Sequence, residues 1–194
     1  MNNAHAQEVS ATGIPSGKLG IWMFLASEVM LFGAFISSYV ILRTGSPLFE
    51  IPAREMLGVP LATLNTFVLI LSSVTMVLAL DSVQKNNQKG LSRYLLLTVL
   101  LGFVFLGVKA YEYHHKWAEG ITLSSGLFGS FYYTLTGLHA LHVVGGIVFN
   151  LYILVNALRG KYSSNHHERV EYAGLYWHFV DLVWVILFPS LYLL

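Results

Sequence analysis

Five stretches of this sequence are too long and too apolar to be anything but membrane spans. They run over residues 19–42, 60–80, 94–113, 127–158 and 172–193. A helix needs about 20 apolar residues to cross a hydrocarbon core of about 30 Å, and each stretch meets that length. The rest of the composition agrees. Of 194 residues, 55% are hydrophobic and 11% charged, against about 25% charged in a soluble domain. The expected fold is an all-α integral membrane protein: a tail over residues 1–17, then one five-helix transmembrane domain over 18–194. The tail lacks both a basic segment and an apolar segment, so it reads as a mobile extension rather than a cleavable leader.

The intervening segments are polar. Residues 43–58 carry Pro47, Pro52 and several apolar side chains, consistent with a loop lying on the membrane surface. Residues 81–92 and 159–171 read as hydrophilic connectors. The fourth span, 32 residues, makes a helix of about 48 Å. It must tilt, kink near Gly145–Gly146 or project from the bilayer. Five crossings put the termini on opposite sides. The tail, the second connector and the fourth connector carry Lys18, Lys85, Lys89, Arg93, Arg159, Lys161 and Arg169. The other side carries Arg43, Arg54 and Lys116, with Lys109 just inside the third span. The excess of basic residues places the N-terminus in the cytoplasm and the C-terminus outside. A net charge of +1 offers nothing to nucleic acid. Without cysteine there is no disulfide, thiolate metal site or covalent haem attachment.

The informative residues are the polar ones inside the spans. An acid at the centre of a membrane helix costs about 2.5–3.5 kcal/mol, so each such residue is a functional candidate whose partner has to be found. Glu28 sits nine residues into the first span among apolar neighbours; it reads as a proton-relay carboxyl or as an interhelical hydrogen bond. His139 and His142 share a side of the fourth span, continued by Gly145 and Gly146, where another helix can approach closely. Two histidines so placed suit either a metal site, which needs a third ligand, or a bond to a carboxyl on a neighbouring helix. His178 and Asp181, with Trp177 and Trp184 nearby, read as proton carriers or as a carboxyl accepting from His or Trp N–H groups. Asn65 reads as a structural hydrogen bond. Glu112 is either snorkelling or paired with Lys109 or Lys116. Arg159, His166, His167 and Glu171 are candidates for lipid headgroup or subunit contact.

Taken in order, these motifs resemble subunit III of the haem–copper terminal oxidases, most of all the five-helix form of bacterial cytochrome c oxidase subunit III. Ser27–Glu28–Val29 followed by Leu31–Phe32 is similar to the family's first motif. Pro60 with Leu64–Asn65–Thr66, Ala110–Tyr111–Glu112–Tyr113 and Gly137–Leu138–His139–Ala140–Leu141–His142–Val143 resemble the next three. Ser164–Asn165–His166–His167, Glu171 and Tyr176–Trp177–His178–Phe179–Val180–Asp181 resemble the carboxy-terminal signature. The resemblance implies a non-redox subunit, without catalytic residues or cofactor of its own. Haem and copper are then held by subunits I and II. The chain packs on subunit I, binds phospholipid, and supports proton uptake and sustained turnover in aerobic respiration at the bacterial cytoplasmic membrane. It further implies that Glu28 is the family's carbodiimide-reactive carboxyl, paired across the bundle with His139.

Longer members of that family have seven helices, and the first pair has no counterpart here. Quinol oxidases of the cytochrome o type have a very similar third subunit. They tend to carry Asp at the Glu28 position and lack the His166–His167…Glu171 pattern, so cytochrome c is the expected electron donor and quinol the alternative. From another class, a small proton-coupled transporter could use Glu28, His139, His178 and Asp181 as a relay. Such folds show internal repeats or broken helices, and neither is visible in the sequence.

Overall fold

The computed structural model describes residues 15–49 and 58–193. Helices fill almost all of it: α1 (Ser16–Gly45), α2 (Val59–Gln84), α3 (Gln88–Ala118), α4 (Leu127–Leu158) and α5 (Glu168–Phe188), the last continuing into one π-helical turn, Pro189–Leu193. All five are long and apolar enough to cross a membrane. The expected tail and much of the first connector lie outside the described residues. Residues 16 and 17, assigned to the tail, are already the first turn of α1.

The helices outrun their apolar cores, and the reason is local. The polar stretch 81–92 is not a twelve-residue connector. Asp81 accepts from Lys85 at 2.8 Å one turn on, and the Asn87 side chain caps α3 by accepting from Gly90 N–H at 2.9 Å. Only residues 85–87 remain non-helical. Helices α2, α3 and α4 end in one and the same way. Asn86 (φ 54°), Gly120 (φ 83°) and Gly160 (φ 68°) adopt left-handed backbone. The N–H of each reaches back to Val83, Trp117 and Ala157, and the next residue's N–H to Ser82, Lys116 and Asn156. This paired pattern is the Schellman stop. It turns the chain within two or three residues.

α2, α3, α4 and α5 close a ring, each packed on the next, with α5 returning to α2. α1 stands outside it, against α4 and α5. Its buried residues are Leu25, Phe32 and Tyr39, seven apart, so it touches the ring along one narrow stripe. Phe32 meets His142 and Phe179 edge-on, and Tyr39 meets Phe131 and Phe49.

Trp177 on α5 is where the ring's four helices meet. A Cβ on Gly146 of α4 would lie 2.7 Å from its Cε3, and one on Gly102 of α3 2.9 Å from its Cη2. Its indole N–H donates to Ser72 Oγ on α2 at 3.0 Å. α4 runs as one unbroken helix through Gly145–Gly146, and these glycines admit Tyr176 and Trp177.

Candidate functional site

The ionisable residues inside the spans gather at three places and leave His139 alone. The first place is the seam of α1 and α4. Glu28 Oε2 lies 3.0 Å from His142 Nε2, with both side chains about 15% exposed. His142 Nδ1 is 2.8 Å from the Leu138 carbonyl, which can only accept, so Nδ1 carries a hydrogen. Nε2 and the Glu28 carboxyl therefore share one proton. Whether it rests on nitrogen or oxygen, the pair is neutral overall, which lets an acid sit within a span. Tyr176 O–H donates to the His142 carbonyl at 3.1 Å.

The Glu28–His139 pairing implied by the resemblance does not form. Three residues turn a helix through 300°, so His139 and His142 point about 60° apart. That is enough to send His142 to α1 and His139 into the ring. There His139 is 1% exposed, set between Phe105 and Trp184 at ring distances of 5.7 and 5.0 Å. Neither ring nitrogen has a hydrogen-bond partner among the described residues.

The second place is the seam of α2 and α5, two antiparallel helices joined side chain to side chain. Trp184 N–H donates to Thr66 Oγ1 at 2.9 Å, Trp177 N–H to Ser72, and Ser73 Oγ lies 2.6 Å from His178 Nδ1. Ser73 is also beside the Asp181 carboxyl, whose Oδ1 is enclosed without a partner. The expected bonds from His or Trp to Asp181 do not form, because those donors face the hydroxyls of α2. Trp177 and Trp184 are buried in the ring, their N–H groups taken by Ser72 and Thr66. Asn65 bridges α2 to α3 through the Phe105 carbonyl at 3.2 Å.

The third place lies inside the ring near the end of α3. Glu112 accepts from Lys109 Nζ at 2.9 Å and lies 3.6 Å from Lys116 Nζ, all three side chains 3–4% exposed. Its Oε1 accepts from Tyr132 at 2.8 Å and Tyr192 at 2.6 Å. Lys109 also donates to Tyr192 at 2.8 Å and lies 5.0 Å from the Trp184 ring centre, a cation–π contact. So Glu112 pairs with both lysines and does not snorkel. The spacing of 109, 112 and 116 already puts them on one helix face. No sequence signal linked Tyr132 or Tyr192 to them; the π-helical turn at Pro189 carries Tyr192 in. A shallow cleft lined by Gly58, Leu61, Tyr111 and His115 opens beside Glu112 and Lys116.

The loop candidates occupy the opposite end of the bundle. Glu171 accepts from Lys18 at 2.8 Å, tying the first turn of α5 to that of α1. His166 pairs its backbone with Ser163, and the His167 carbonyl accepts from Val170 and Glu171 N–H at the start of α5. Arg159 is exposed where α4 stops. No cluster of three or more His, Cys, Asp or Glu able to hold a metal ion occurs among the described residues.

This arrangement can brace a bundle and hold single protons in place, and the sequence that builds it matches known proteins. The family model for cytochrome c oxidase subunit III fits residues 2–194. The chain belongs to that family. The subunit is 36% identical over 177 residues to cytochrome c oxidase subunit 3 of Alkalihalophilus pseudofirmus, covering 91% of this chain and 85% of the relative. It is 33% identical over 177 residues to the probable quinol oxidase subunit 3 of Staphylococcus saprophyticus, covering 91% and 88%. A Staphylococcus aureus protein of the same description matches at the same identity and coverage. The subunit is thus part of a haem–copper oxidase, a multi-pass protein of the bacterial cytoplasmic membrane.

Proposed function

We propose that this subunit III serves a proton-pumping cytochrome c oxidase as a non-catalytic brace. It packs on subunit I, holds phospholipid and supports proton uptake and sustained turnover. Haem and copper then reside in subunits I and II, and the N-terminus and the connectors at residues 85–87 and 159–167 face the cytoplasm, as the distribution of basic residues suggests. The observation that carries the reading is the family match along residues 2–194. The closed polar contacts support it, since Glu28–His142 joins α1 to α4, and Tyr132 and Tyr192 tie α4 and the final turn to Glu112 of α3. The 36% identity to a cytochrome c oxidase subunit favours cytochrome c as donor. The relatives described as probable quinol oxidase subunits favour quinol, and this second reading is tested beside the first.

The experiment is mild-detergent purification through a tag on this chain, followed by a haem spectrum and oxygen consumption with reduced cytochrome c or with a quinol. A haem-bearing complex that oxidises cytochrome c is the expected result. Quinol as the only electron source selects the second reading, and a stable, colourless, isolated chain overturns both. Glu28→Gln is expected to leave the initial rate of the complex near wild type and to shorten its active lifetime. An unchanged lifetime removes Glu28 from proton supply.

A further inference from the structure

We infer that the groove over α5, walled by α1 and α2, docks a transmembrane helix of the oxidase partner, which brings an uncharged hydrogen-bonding side chain to His178. This deepens the function proposed above and rests on it.

The groove follows from the angular order of residues on α5. Tyr176 and Phe179 meet Phe24 and Phe32 of α1. The opposite flank, with Asp181, leans on Ser73 of α2, which also reaches His178 at the edge of the groove. Between the two flanks His178, Leu182 and Val185 recur at helical spacing and point outward. Leu182 is 57% exposed, and on the α2 wall Val77 is 51% exposed. No described residue covers this strip.

Its depth makes the polar groups consequential. His178 is ten residues into the final helix and Ser73 fourteen into α2, so at 1.5 Å per residue they lie about 15 and 21 Å from the helix starts. Measured from the nearer edges of the apolar stretches 172–193 and 60–80, both lie about 10 Å inside the hydrocarbon core. Lipid tails offer no hydrogen bond there, and polar groups must be satisfied by protein. Asp181 has Ser73 beside it and an enclosed Oδ1, and the remaining intramembrane acids and imidazoles are closed off. Glu28 and His142 complete each other, Glu112 is saturated by lysines and tyrosines, and His139 is enclosed. His178 is different. Ser73 takes its Nδ1, while Nε2 has no partner among the described residues and reaches the half-open groove. One further side chain completes it: a Ser, Thr, Asn, Gln or Tyr on a neighbouring span. A charged side chain at that depth costs far more to insert.

The test uses the whole complex, purified through a tag on this chain, with a photo-crosslinking phenylalanine analogue at Leu182 or Val77. Phe103 and Val148, exposed on α3 and α4, serve as comparison positions. The expected result is a protein crosslink to another subunit from Leu182 and Val77, and lipid labelling only from Phe103 and Val148. In parallel, His178→Leu is expected to lower the haem recovered per chain at least threefold, and His178→Gln to restore most of it, with the thermal unfolding of the isolated variants alike. Lipid-only labelling at Leu182 and Val77 in a haem-bearing complex overturns the docking assignment and leaves the proposed function standing. So does haem recovery indifferent to His178. A chain that carries no haem subunit overturns both.

Discussion

Replacing Gly146 by Ala adds a single methyl group, and the structure says where it goes. The new Cβ lands 2.7 Å from Cε3 and 2.8 Å from Cζ3 of Trp177, closer than carbon atoms approach in proteins. Relief requires the indole to retreat, but its far edge already meets α3, where even a Cβ on Gly102 would be 2.9 Å away. The indole N–H is also tethered to Ser72 at 3.0 Å. With the ring pinned on three sides, α4 has to move outward. Overpacking of this kind costs about 1–3 kcal/mol. Trp177→Leu removes the six-membered ring and leaves a cavity, at about 2–5 kcal/mol by analogy with other large-to-small core changes. In that background the new methyl meets only Cε1 of Tyr176, at 3.2 Å, and Gly146→Ala is expected to cost less than about 1 kcal/mol. Equilibrium unfolding of the four variants in mixed detergent, followed by circular dichroism, measures the coupling. A cost for Gly146→Ala that is equal with and without Trp177 refutes the three-sided clamp.

Three further expectations follow from the polar contacts. Glu28→Gln and His142→Ala are expected to be non-additive by about 0.5–1.5 kcal/mol in a double-mutant cycle, whereas Glu28→Gln and His139→Ala add; the opposite result returns Glu28 to His139. Lys109→Met leaves the Glu112 carboxylate with Lys116 and two tyrosines, and Glu112→Leu leaves two buried lysines facing each other. Each is expected to cost about 3–5 kcal/mol, read as loss of the full-length chain from membranes, with partial recovery when Lys109→Met and Glu112→Leu are combined. Asn86→Gly loses only the two side-chain bonds to Ser164, at about 1 kcal/mol, and Asn86→Val is expected to cost about 1–2 kcal/mol more in thermal unfolding, because Asn86 holds left-handed backbone at the end of α2; equal effects refute the stop motif.

The five spans were legible because hydropathy is additive along a chain and needs no knowledge of neighbours. The helix ends were not, because polar residues such as Asp81 and Gln88 extend a helix once its capping bonds form. The partner of Glu28 was misplaced by one helical turn. Sequence places His139 and His142 on one side of α4, yet the 60° between them decides which faces α1 and which faces the ring, and that depends on where α1 rests. Lys109 and Lys116 were legible as neighbours of Glu112 on its own helix. Their burial was not, since it is made by Tyr132 from α4 and Tyr192 from the final turn.

The order in which the chain is made meets the order in which it packs at α1. Synthesis delivers this span first, but its neighbours α4 and α5 are delivered last. Glu28 and His142 are 114 residues apart. At about 5–20 residues per second, the carboxyl waits roughly 6–23 s in the membrane or at the insertion site before the imidazole that completes it exists. Through that interval a span with an unpaired acid and a stripe of three bare side chains has to be kept from aggregation and from withdrawal, so biogenesis of this subunit places its heaviest demand on whatever holds newly inserted helices.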